Sequence, residues 1–213
     1  MHHVVRKRFG QHFLTDRQCV RRIVDAVDPR PDDLMVEIGP GLGALTRPFL
    51  ERVHHLTAVE IDRDIVAALR MEFATDRLTV CEQDALDFDF AALGAGLRVV
   101  GNLPYNISTP ILFHLAAARP ALQDLHLMLQ KEVVDRMAAA PATPAYGRLS
   151  VMLQYQFEGE PLFGVPPGAF RPPPKVDSTL VRLRPVRVPA VAARDESMLA
   201  EIVTKAFGQR RKT

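Results

Sequence analysis

The sequence predicts a doubly wound α/β fold, in which helices cover both faces of a mostly parallel sheet. Short apolar runs alternate with stretches of helical pattern from about residue 18 to residue 157. The runs are short and mostly apolar, which is typical of strands buried on both faces of a parallel sheet. A glycine-rich loop follows the first run, and loops at that position of an α/β sheet commonly bind ligands.

The elements of this fold follow one another in a regular order. Five apolar runs are expected to form strands: Leu34–Ile38, Leu56–Ile61, Leu78–Glu82, Leu97–Gly101 and Leu125–Leu129. Five stretches are expected to form helices: Gln18–Val27, Ala44–Val53, Asp64–Phe73, Thr109–Ala118 and Glu132–Ala139. Asp64 and Ser108 are the expected N-caps of two helices, because short polar side chains accept hydrogen bonds from the free N–H groups of a first turn.

The pattern changes after Pro141. A helical stretch at Arg148–Tyr155 precedes a proline-rich region, and Ser178–Leu183 then alternates like a late, antiparallel strand. Residues 186–194 have the composition of a linker. Asp195–Phe207 is expected to be an amphipathic helix that ends at Gly208.

Composition excludes several classes of protein. The chain has 213 residues, of which 47% are hydrophobic and 24% charged, so it can build a core and is not a disordered chain. Its two cysteines, Cys19 and Cys81, are too few for a disulfide framework and lack metal-binding spacing. No apolar run is long enough to cross a bilayer, and no secretory signal opens the chain. A cytoplasmic location, with no membrane contact, is therefore expected.

The formal net charge of +2 hides a strong asymmetry. Residues 1–22 carry six basic groups and one acid, residues 170–213 carry ten and four, and the segment between them carries eleven and twenty. Two cationic ends therefore flank an acidic body. This layout fits either an ordinary solvated surface or a polyanionic partner held by the two ends.

The glycine loop reads Glu37-Ile38-Gly39-Pro40-Gly41-Leu42-Gly43. Its Gly-x-Gly-x-Gly spacing differs from the dinucleotide pattern Gly-x-Gly-x-x-Gly. Glu37 would repel a pyrophosphate but suits a ligand that carries a sulfonium and an ammonium group. Glu60 and Asp84 end the next two strands, where carboxylates can accept hydrogen bonds from ribose hydroxyls and from an adenine amino group. Together these features favour an S-adenosylmethionine site.

The fourth strand ends in the unusual segment Asn102-Leu103-Pro104-Tyr105. The Asn102 side chain and the carbonyl before Pro104 are hydrogen-bond acceptors, and two acceptors aimed at one point suit an exocyclic amino group. Tyr105 offers a flat face for a base. A plain turn that closes the strand is the competing interpretation.

Five segments of the chain carry a resemblance to a known family. They occur in this order: Gly10-Gln11-His12-Phe13-Leu14, Val36–Thr46, Gln83-Asp84-Ala85, Asn102–Asn106 and Phe170–Ser178. Together they resemble the small-subunit ribosomal RNA adenine N6,N6-dimethyltransferase family, whose loss confers kasugamycin resistance in bacteria. The motifs span residues 10 to 178. The resemblance implies a Rossmann-like class I S-adenosylmethionine-dependent methyltransferase fold.

The resemblance also implies a role for individual residues of the donor site. His12 and Leu14 match positions that close over the methyl donor. Since family members carry Asn or His at the first of these positions, His12 is interpreted as a variant and not as a base. Gly39 is expected beneath the methionine moiety, Glu60 at the ribose and Asp84 at the adenine.

On the acceptor side, the resemblance implies that Asn102 lies at the boundary between donor and acceptor. Leu103 and Pro104 complete the acceptor motif, and Tyr105 is expected to stack on the target adenine. Phe170 matches an aromatic position on the other side of that base, with a core phenylalanine as the competing interpretation.

The implied reaction dimethylates N6 of two adjacent adenosines near the 3′ end of 16S ribosomal RNA. S-Adenosylmethionine is the donor, no metal is expected, and the partner is the precursor of the small ribosomal subunit. We expect a monomer with a methyltransferase domain at residues 1–187. Residues 188–213 are expected to be a linker and the first helix of a truncated helical domain, because family members usually continue further.

Three other functions are weighed against this one. A related family methylates an adenine of large-subunit RNA and confers macrolide resistance; the segments Gln11–Leu14 and Phe170–Ser178 favour the small-subunit enzyme. A non-catalytic ribosome-assembly or transcription factor on the same fold is disfavoured by the complete donor-site motifs. A nicotinamide dehydrogenase is disfavoured by the glycine spacing.

Overall fold

The fold is that of a computed structural model, which describes residues 11–189 and 191–208. Nine strands are present in this part of the chain: β1 (Phe13–Leu14), β2 (Met35–Ile38), β3 (Leu56–Glu60), β4 (Leu78–Glu82), β5 (Leu97–Asn102), β6 (Leu122–Gln130), β7 (Phe157–Val165), β8 (Phe170–Arg171) and β9 (Ser178–Pro185). Seven α-helices accompany them: α1 (Arg17–Val27), α2 (Thr46–Leu50), α3 (Arg63–Glu72), α4 (Ser108–Ala117), α5 (Lys131–Met137), α6 (Arg148–Gln156) and α7 (Glu196–Gly208).

Seven of these strands form one central sheet in the order β4-β3-β2-β5-β6-β9-β7. The five strands from β4 to β6 are parallel, whereas β9 is antiparallel to β6 and β7 is antiparallel to β9. The predicted doubly wound α/β fold is therefore confirmed. The antiparallel orientation of the late strand at Ser178 is confirmed as well.

The sheet has an apolar core on each face. Val36, Val99 and Leu127 belong to the core that α4, α5 and α6 cover. Met35, Val100 and Met128 belong to the other core, which α1, α2 and α3 cover. Alternate residues of a strand face opposite sides of a sheet, so one apolar run supplies both cores.

Two predicted N-caps are wrong by one or two residues. The side chain of Asp62 caps α3 by accepting a hydrogen bond from the N–H of Asp64 at 3.1 Å, so Asp64 lies inside the helix. Ser108 is the first residue of α4, and its hydroxyl donates to the carbonyl of Pro104 at 3.3 Å instead of accepting from the first turn.

Two further differences from the prediction concern α2 and β7. The second helix covers only Thr46–Leu50, with glycine and proline at the loop before it and Pro48 inside it. The edge strand β7 was not predicted, because Gly159, Pro161 and Gly164 make its sequence resemble a loop. Its register with β9 shifts between Pro161 and Phe163, as expected where a proline interrupts a ladder.

A second, two-stranded sheet lies beside the central one. In it β1 pairs antiparallel with β8, so that Phe13 is opposite Arg171 and Leu14 opposite Phe170. The pairing continues where the N–H of Thr15 donates to the carbonyl of Ala169 at 2.8 Å. This contact fastens the N-terminal segment, residues 11–16, to the segment that precedes β9.

The last helix packs on the body of the protein. Glu196 of α7 accepts hydrogen bonds from Arg119 and from Gln156, both at 3.3 Å. The division into domains at residues 187 and 188 stays a prediction. Among the described residues, no helix is both long enough and apolar enough to cross a membrane.

Candidate active site

A cavity of about 440 Å³ opens at the carboxyl ends of β2, β3, β4 and β5. Its volume lies in the range of small-molecule sites. Nine of the residues singled out in the sequence line it: His12, Leu14, Gly39, Glu60, Asp84, Asn102, Leu103, Pro104 and Tyr105. Parallel strands end at one edge of the sheet, which is why residues far apart in the chain meet here.

The glycine loop forms one wall of the cavity. Gly39, Gly41 and Gly43 have φ angles of 65°, 53° and 78°, in the left-handed region that side chains disfavour. A side chain at position 41 would also have its Cβ only 2.9 Å from the ring of Phe13. The loop therefore turns tightly and leaves room for the N-terminal segment to pass close by.

Glu60 presents a buried carboxylate to the cavity. Its Oε1 accepts hydrogen bonds from the N–H groups of Ile61 and Asp62, both at 2.9 Å, which fix the side chain at the end of β3. Burial raises the pKa of this carboxyl, and the backbone donors partly offset the rise. Asp84 is held similarly, since its Oδ1 accepts from the N–H of Leu86 at 2.9 Å.

Glu37 lies behind the glycine loop and does not line the cavity. It is only 2% exposed, and its Oε2 accepts a hydrogen bond from the hydroxyl of Thr46 at 2.6 Å. Burial raises its pKa to about 7, against the lowering effect of Thr46. This acid supports the wall of the site from within the core.

Asn102 has a fixed orientation at the end of β5. Its Nδ2 donates to the main-chain carbonyl of His12 at 2.8 Å. Among the described residues, no group donates a hydrogen bond to the side-chain oxygen Oδ1 or to the carbonyl of Leu103. The two acceptors that the sequence predicted are both available at the same end of the cavity.

Tyr105 and His12 form the adjoining wall. The Tyr105 hydroxyl lies 2.7 Å from the Ser178 hydroxyl, and the Tyr105 ring lies 5.5 Å from the His12 ring at an interplanar angle of 32°. Burial raises the pKa of the Tyr105 phenol. Nδ1 of His12 is 2.8 Å from the carbonyl of Pro172, which can only accept, so Nδ1 carries the proton and donates it.

Phe170 is not part of the cavity wall. Its side chain is fully buried and packs in the same core as Leu14, Val165 and Ala169. The cause is the pairing of β1 with β8, which places Leu14 directly opposite Phe170. In this conformation the structure fits the core interpretation of Phe170 and not a contact with a bound base.

Several residues of the site were missed by the sequence reasoning. Gln11 donates from Nε2 to Oδ2 of the buried Asp62 at 3.0 Å, which ties the N-terminal segment to α3. Gln11 belongs to the segment Gly10–Leu14, which carries part of the family resemblance, so a signal was present in the sequence. Leu42, Arg47 and Ile61 also line the cavity, and no local pattern marks Arg47 as a site residue.

Some sequence-based expectations lie outside the described residues. These are Gly10 and the basic groups at the two ends of the chain, Arg6, Lys7, Arg8, Arg210, Arg211 and Lys212. Within the described part of the chain, no group of three or more His, Cys, Asp or Glu side chains is arranged to hold a metal ion.

The chain is similar in sequence and in fold to known proteins. Residues 2–213 match the family model described as ribosomal RNA adenine dimethylase. A protein of Nitrosospira multiformis named ribosomal RNA small subunit methyltransferase A is 62% identical over 212 residues, which cover 100% of this chain and 82% of the relative.

Two solved structures are also similar. A dimethyladenosine transferase from Plasmodium falciparum has a TM-score of 0.83 and 29% identity, covering 95% of this chain and 73% of that one. The 23S rRNA methyltransferase ErmE has a TM-score of 0.75 and 30% identity, covering 93% of this chain and 80% of that one.

Proposed function

The chain belongs to the ribosomal RNA adenine dimethylase family, and from this premise we propose how its cavity carries out the reaction. It is an S-adenosylmethionine-dependent enzyme that dimethylates adenosine at N6 in small-subunit, 16S, ribosomal RNA. We assign to it the two adjacent adenosines near the 3′ end of that RNA. The small-subunit assignment is supported by 62% identity to a small-subunit enzyme, against 30% to ErmE.

The donor half of the cavity fits S-adenosylmethionine. Glu60 supplies a fixed carboxylate that can accept hydrogen bonds from ribose hydroxyls, and Asp84 can accept one from the adenine amino group. The loop at Gly39 lets a ligand approach the main chain, and His12 and Leu14 close the cavity from the N-terminal side. When bound, S-adenosylmethionine supplies an electrophilic methyl group on its sulfonium sulfur.

The acceptor half rests on the orientation of Asn102, and this observation carries the proposal. Because Nδ2 is committed to the carbonyl of His12, Oδ1 is left to accept a hydrogen from the adenine amino group. The carbonyl of Leu103 accepts the other hydrogen, and Pro104 offers no competing N–H. Both bonds strengthen as positive charge develops on N6, which favours the transition state over the bound substrate.

Proton removal needs no strong base in this arrangement. The adenine amine becomes acidic once it carries a new methyl group, and its proton passes to solvent. Catalysis then comes mainly from positioning the amine in line with the methyl group. For the second transfer, the monomethylated amine keeps one hydrogen, so one of the two acceptors suffices.

The target adenine must leave its stack to reach the cavity, and Tyr105 offers a replacement surface. Phe170 is expected on the opposite face of the base. Its buried position does not support this part of the proposal. For Phe170 to touch the base, the pairing of β1 with β8 has to open.

The RNA partner also accounts for the cationic ends of the chain. Arginine suits phosphate contacts, and the affinity for RNA is expected to fall steeply with salt. We propose that the substrate is the precursor of the small subunit in the cytoplasm, that the enzyme acts as a monomer and that it needs no metal.

Radiolabelled methyl transfer to undermethylated small subunits tests the function. After digestion to nucleosides, the label is expected in N6,N6-dimethyladenosine, and primer extension on the same RNA is expected to stop at two adjacent positions. Enzyme that has been dialysed against a metal chelator before the reaction is expected to give equal label. Large subunits serve as the matched control substrate. Label in large-subunit RNA only would assign the enzyme to the other family, and no label in either RNA would indicate a binding factor without activity.

A further inference from the structure

Arg47 forms a contact pattern that the reaction described above does not use. From this pattern we propose that Arg47 and Glu72 hold the glycine loop in its binding shape and thereby set the affinity for the methyl donor. Arg47 is then a positioning residue that acts through the main chain of the loop. The inference deepens the proposed function and rests on the assignment of this cavity as the donor site.

The guanidinium of Arg47 joins two elements. Its Nε and Nη2 donate to the two carboxylate oxygens of Glu72 at 2.5 and 2.7 Å, a two-point contact at the last residue of α3. Its Nη1 donates to the main-chain carbonyl of Leu42 at 2.7 Å. The carboxylate thus fixes the plane of the guanidinium, and the third nitrogen reaches the loop.

The loop has other restraints on both sides of this contact, but within the described residues none of them is made by the main chain of Leu42. The N–H of Gly39 donates to Val59 at 2.9 Å, and the N–H of Gly41 donates to the carboxylate of Glu60. The N–H of Gly43 donates to Pro40 at 3.0 Å, and its carbonyl accepts from the N–H of Arg47 at 3.2 Å. Gly41 and Gly43 have left-handed φ angles, and glycine loses more conformational freedom on ordering than other residues do. A side-chain donor at Leu42, between these glycines, restrains the part of the loop that is most costly to order.

The position of Glu72 gives independent support. A carboxylate at the C-terminus of a helix faces the negative end of the helix dipole, which is unfavourable without a cation. Arg47 supplies that cation, and its guanidinium also lies 6.0 Å from the ring centroid of Phe73, the next residue. The end of α3 is therefore built to hold Arg47 beside the loop.

This contact is expected to affect the loop more than the whole fold. The side chains of Arg47 and Glu72 are 47% and 40% exposed, and ion pairs at such exposure contribute little to global stability. A substitution should therefore weaken donor binding while the melting temperature stays nearly constant. That separation distinguishes a local role from general destabilisation.

Arg47 lines the cavity, so a direct contact with the carboxylate of the donor's methionine moiety is the competing explanation. The two explanations predict opposite changes in donor affinity when Glu72 is removed. Removing Glu72 would free Arg47 for a direct contact and tighten donor binding. Under the present proposal, removing Glu72 releases Arg47 from its orientation and weakens binding.

Isothermal titration with S-adenosylhomocysteine, together with melting temperatures, tests the proposal in the full chain. Arg47→Ala and Glu72→Ala are each expected to weaken binding about 3- to 10-fold, the range of one lost hydrogen bond. The double variant is expected to match the single variants, because both remove the same contact. Arg47→Lys is expected to behave like Arg47→Ala, since lysine lacks the planar fork.

Arg63→Ala is the matched control. Arg63 forms an exposed ion pair with Glu82 at 3.0 Å, begins the same helix and does not line the cavity, so its loss should leave binding unchanged. Tighter binding by Glu72→Ala, or unchanged binding by Arg47→Ala and Glu72→Ala, would overturn the proposal. Absence of binding by the unsubstituted protein would instead contradict the proposed function itself.

Discussion

The donor and acceptor halves of the cavity are held together in different ways. In the donor half, the carboxylates of Glu60 and Asp84 are fixed mainly by N–H groups one or two residues further along the chain, and the N–H of Gly41 is an additional donor to Glu60. In the acceptor half, the contacts of Tyr105 with Ser178, of Asn102 with His12, and of His12 with Pro172 join residues 73, 90 and 160 positions apart.

This difference means that the two carboxylates of the donor half can be placed by the sheet and the turns that follow its strands. The acceptor half needs the N-terminal segment, residues 11–16, and the segment around residues 169–178 to be in place at the same time. Substitutions in the donor half should therefore act on local affinity or local electrostatics. Substitutions in the acceptor half should lower either the stability of the contact between the distant segments or the turnover.

The largest effect is expected for Phe170→Ala. Phe170 is fully buried opposite Leu14, so its loss leaves a cavity and should lower the free energy of unfolding by about 3–5 kcal/mol. Urea denaturation measures this change. Phe170→Leu, which keeps most of the packing, is the control: normal turnover by this variant would exclude stacking on the base, and lost turnover in a stable fold would support it.

Glu37 tests the electrostatics of the donor half. Its pKa of about 7 in the folded state lies above the ordinary value of 4.5, so the folded state binds this proton more tightly than the unfolded state does. The stability from this group is present below pH 4.5 and is lost as the pH rises through 7.

Glu37→Gln should remove this titration while keeping a partner for the Thr46 hydroxyl. Between pH 5 and pH 9, the free energy of unfolding of the variant should therefore rise relative to that of the unsubstituted protein, by about 3 kcal/mol. Urea denaturation of both proteins across this range measures the difference. Parallel pH profiles would contradict the raised pKa.

Asn102→Ala separates the two halves directly. The substitution removes the acceptor Oδ1 and the hydrogen bond to His12. Turnover should fall about 100-fold or more, which is the typical cost of losing one preorganised group that stabilises a transition state. Affinity for S-adenosylhomocysteine should stay within a few-fold, because Glu60 and the glycine loop are unchanged. A parallel loss of donor affinity would show that the halves are not independent.

The same contrast explains how much the sequence could predict. The strand ends that carry Glu60, Asp84 and Asn102 could be placed because parallel apolar runs end at one sheet edge. The burial of Phe170 could not be predicted in this way. It depends on pairing between residues 13–14 and 170–171, which no local pattern encodes. Arg47 was missed for a related reason: its role depends on Glu72, 25 residues away on another helix.

The smallest effect is expected for Tyr105→Phe, and it sharpens the interpretation of the acceptor half. This variant keeps the aromatic face and loses the hydrogen bond to Ser178, so turnover should stay within about 3-fold of normal. Tyr105→Ala removes the face and should cost about tenfold in turnover or in the RNA-dependent KM. Steady-state kinetics on undermethylated small subunits measures both.

The comparison of the two variants separates stacking from positioning. If the ring is the surface for the base, only Tyr105→Ala loses activity, and Ser178→Ala behaves like Tyr105→Phe because both lack the same hydrogen bond. If the hydroxyl contact mainly holds the segment before β9 against the cavity, all three variants lose activity equally. The latter result would make Tyr105 one more long-range contact of the acceptor half and leave the stacking surface to be sought elsewhere.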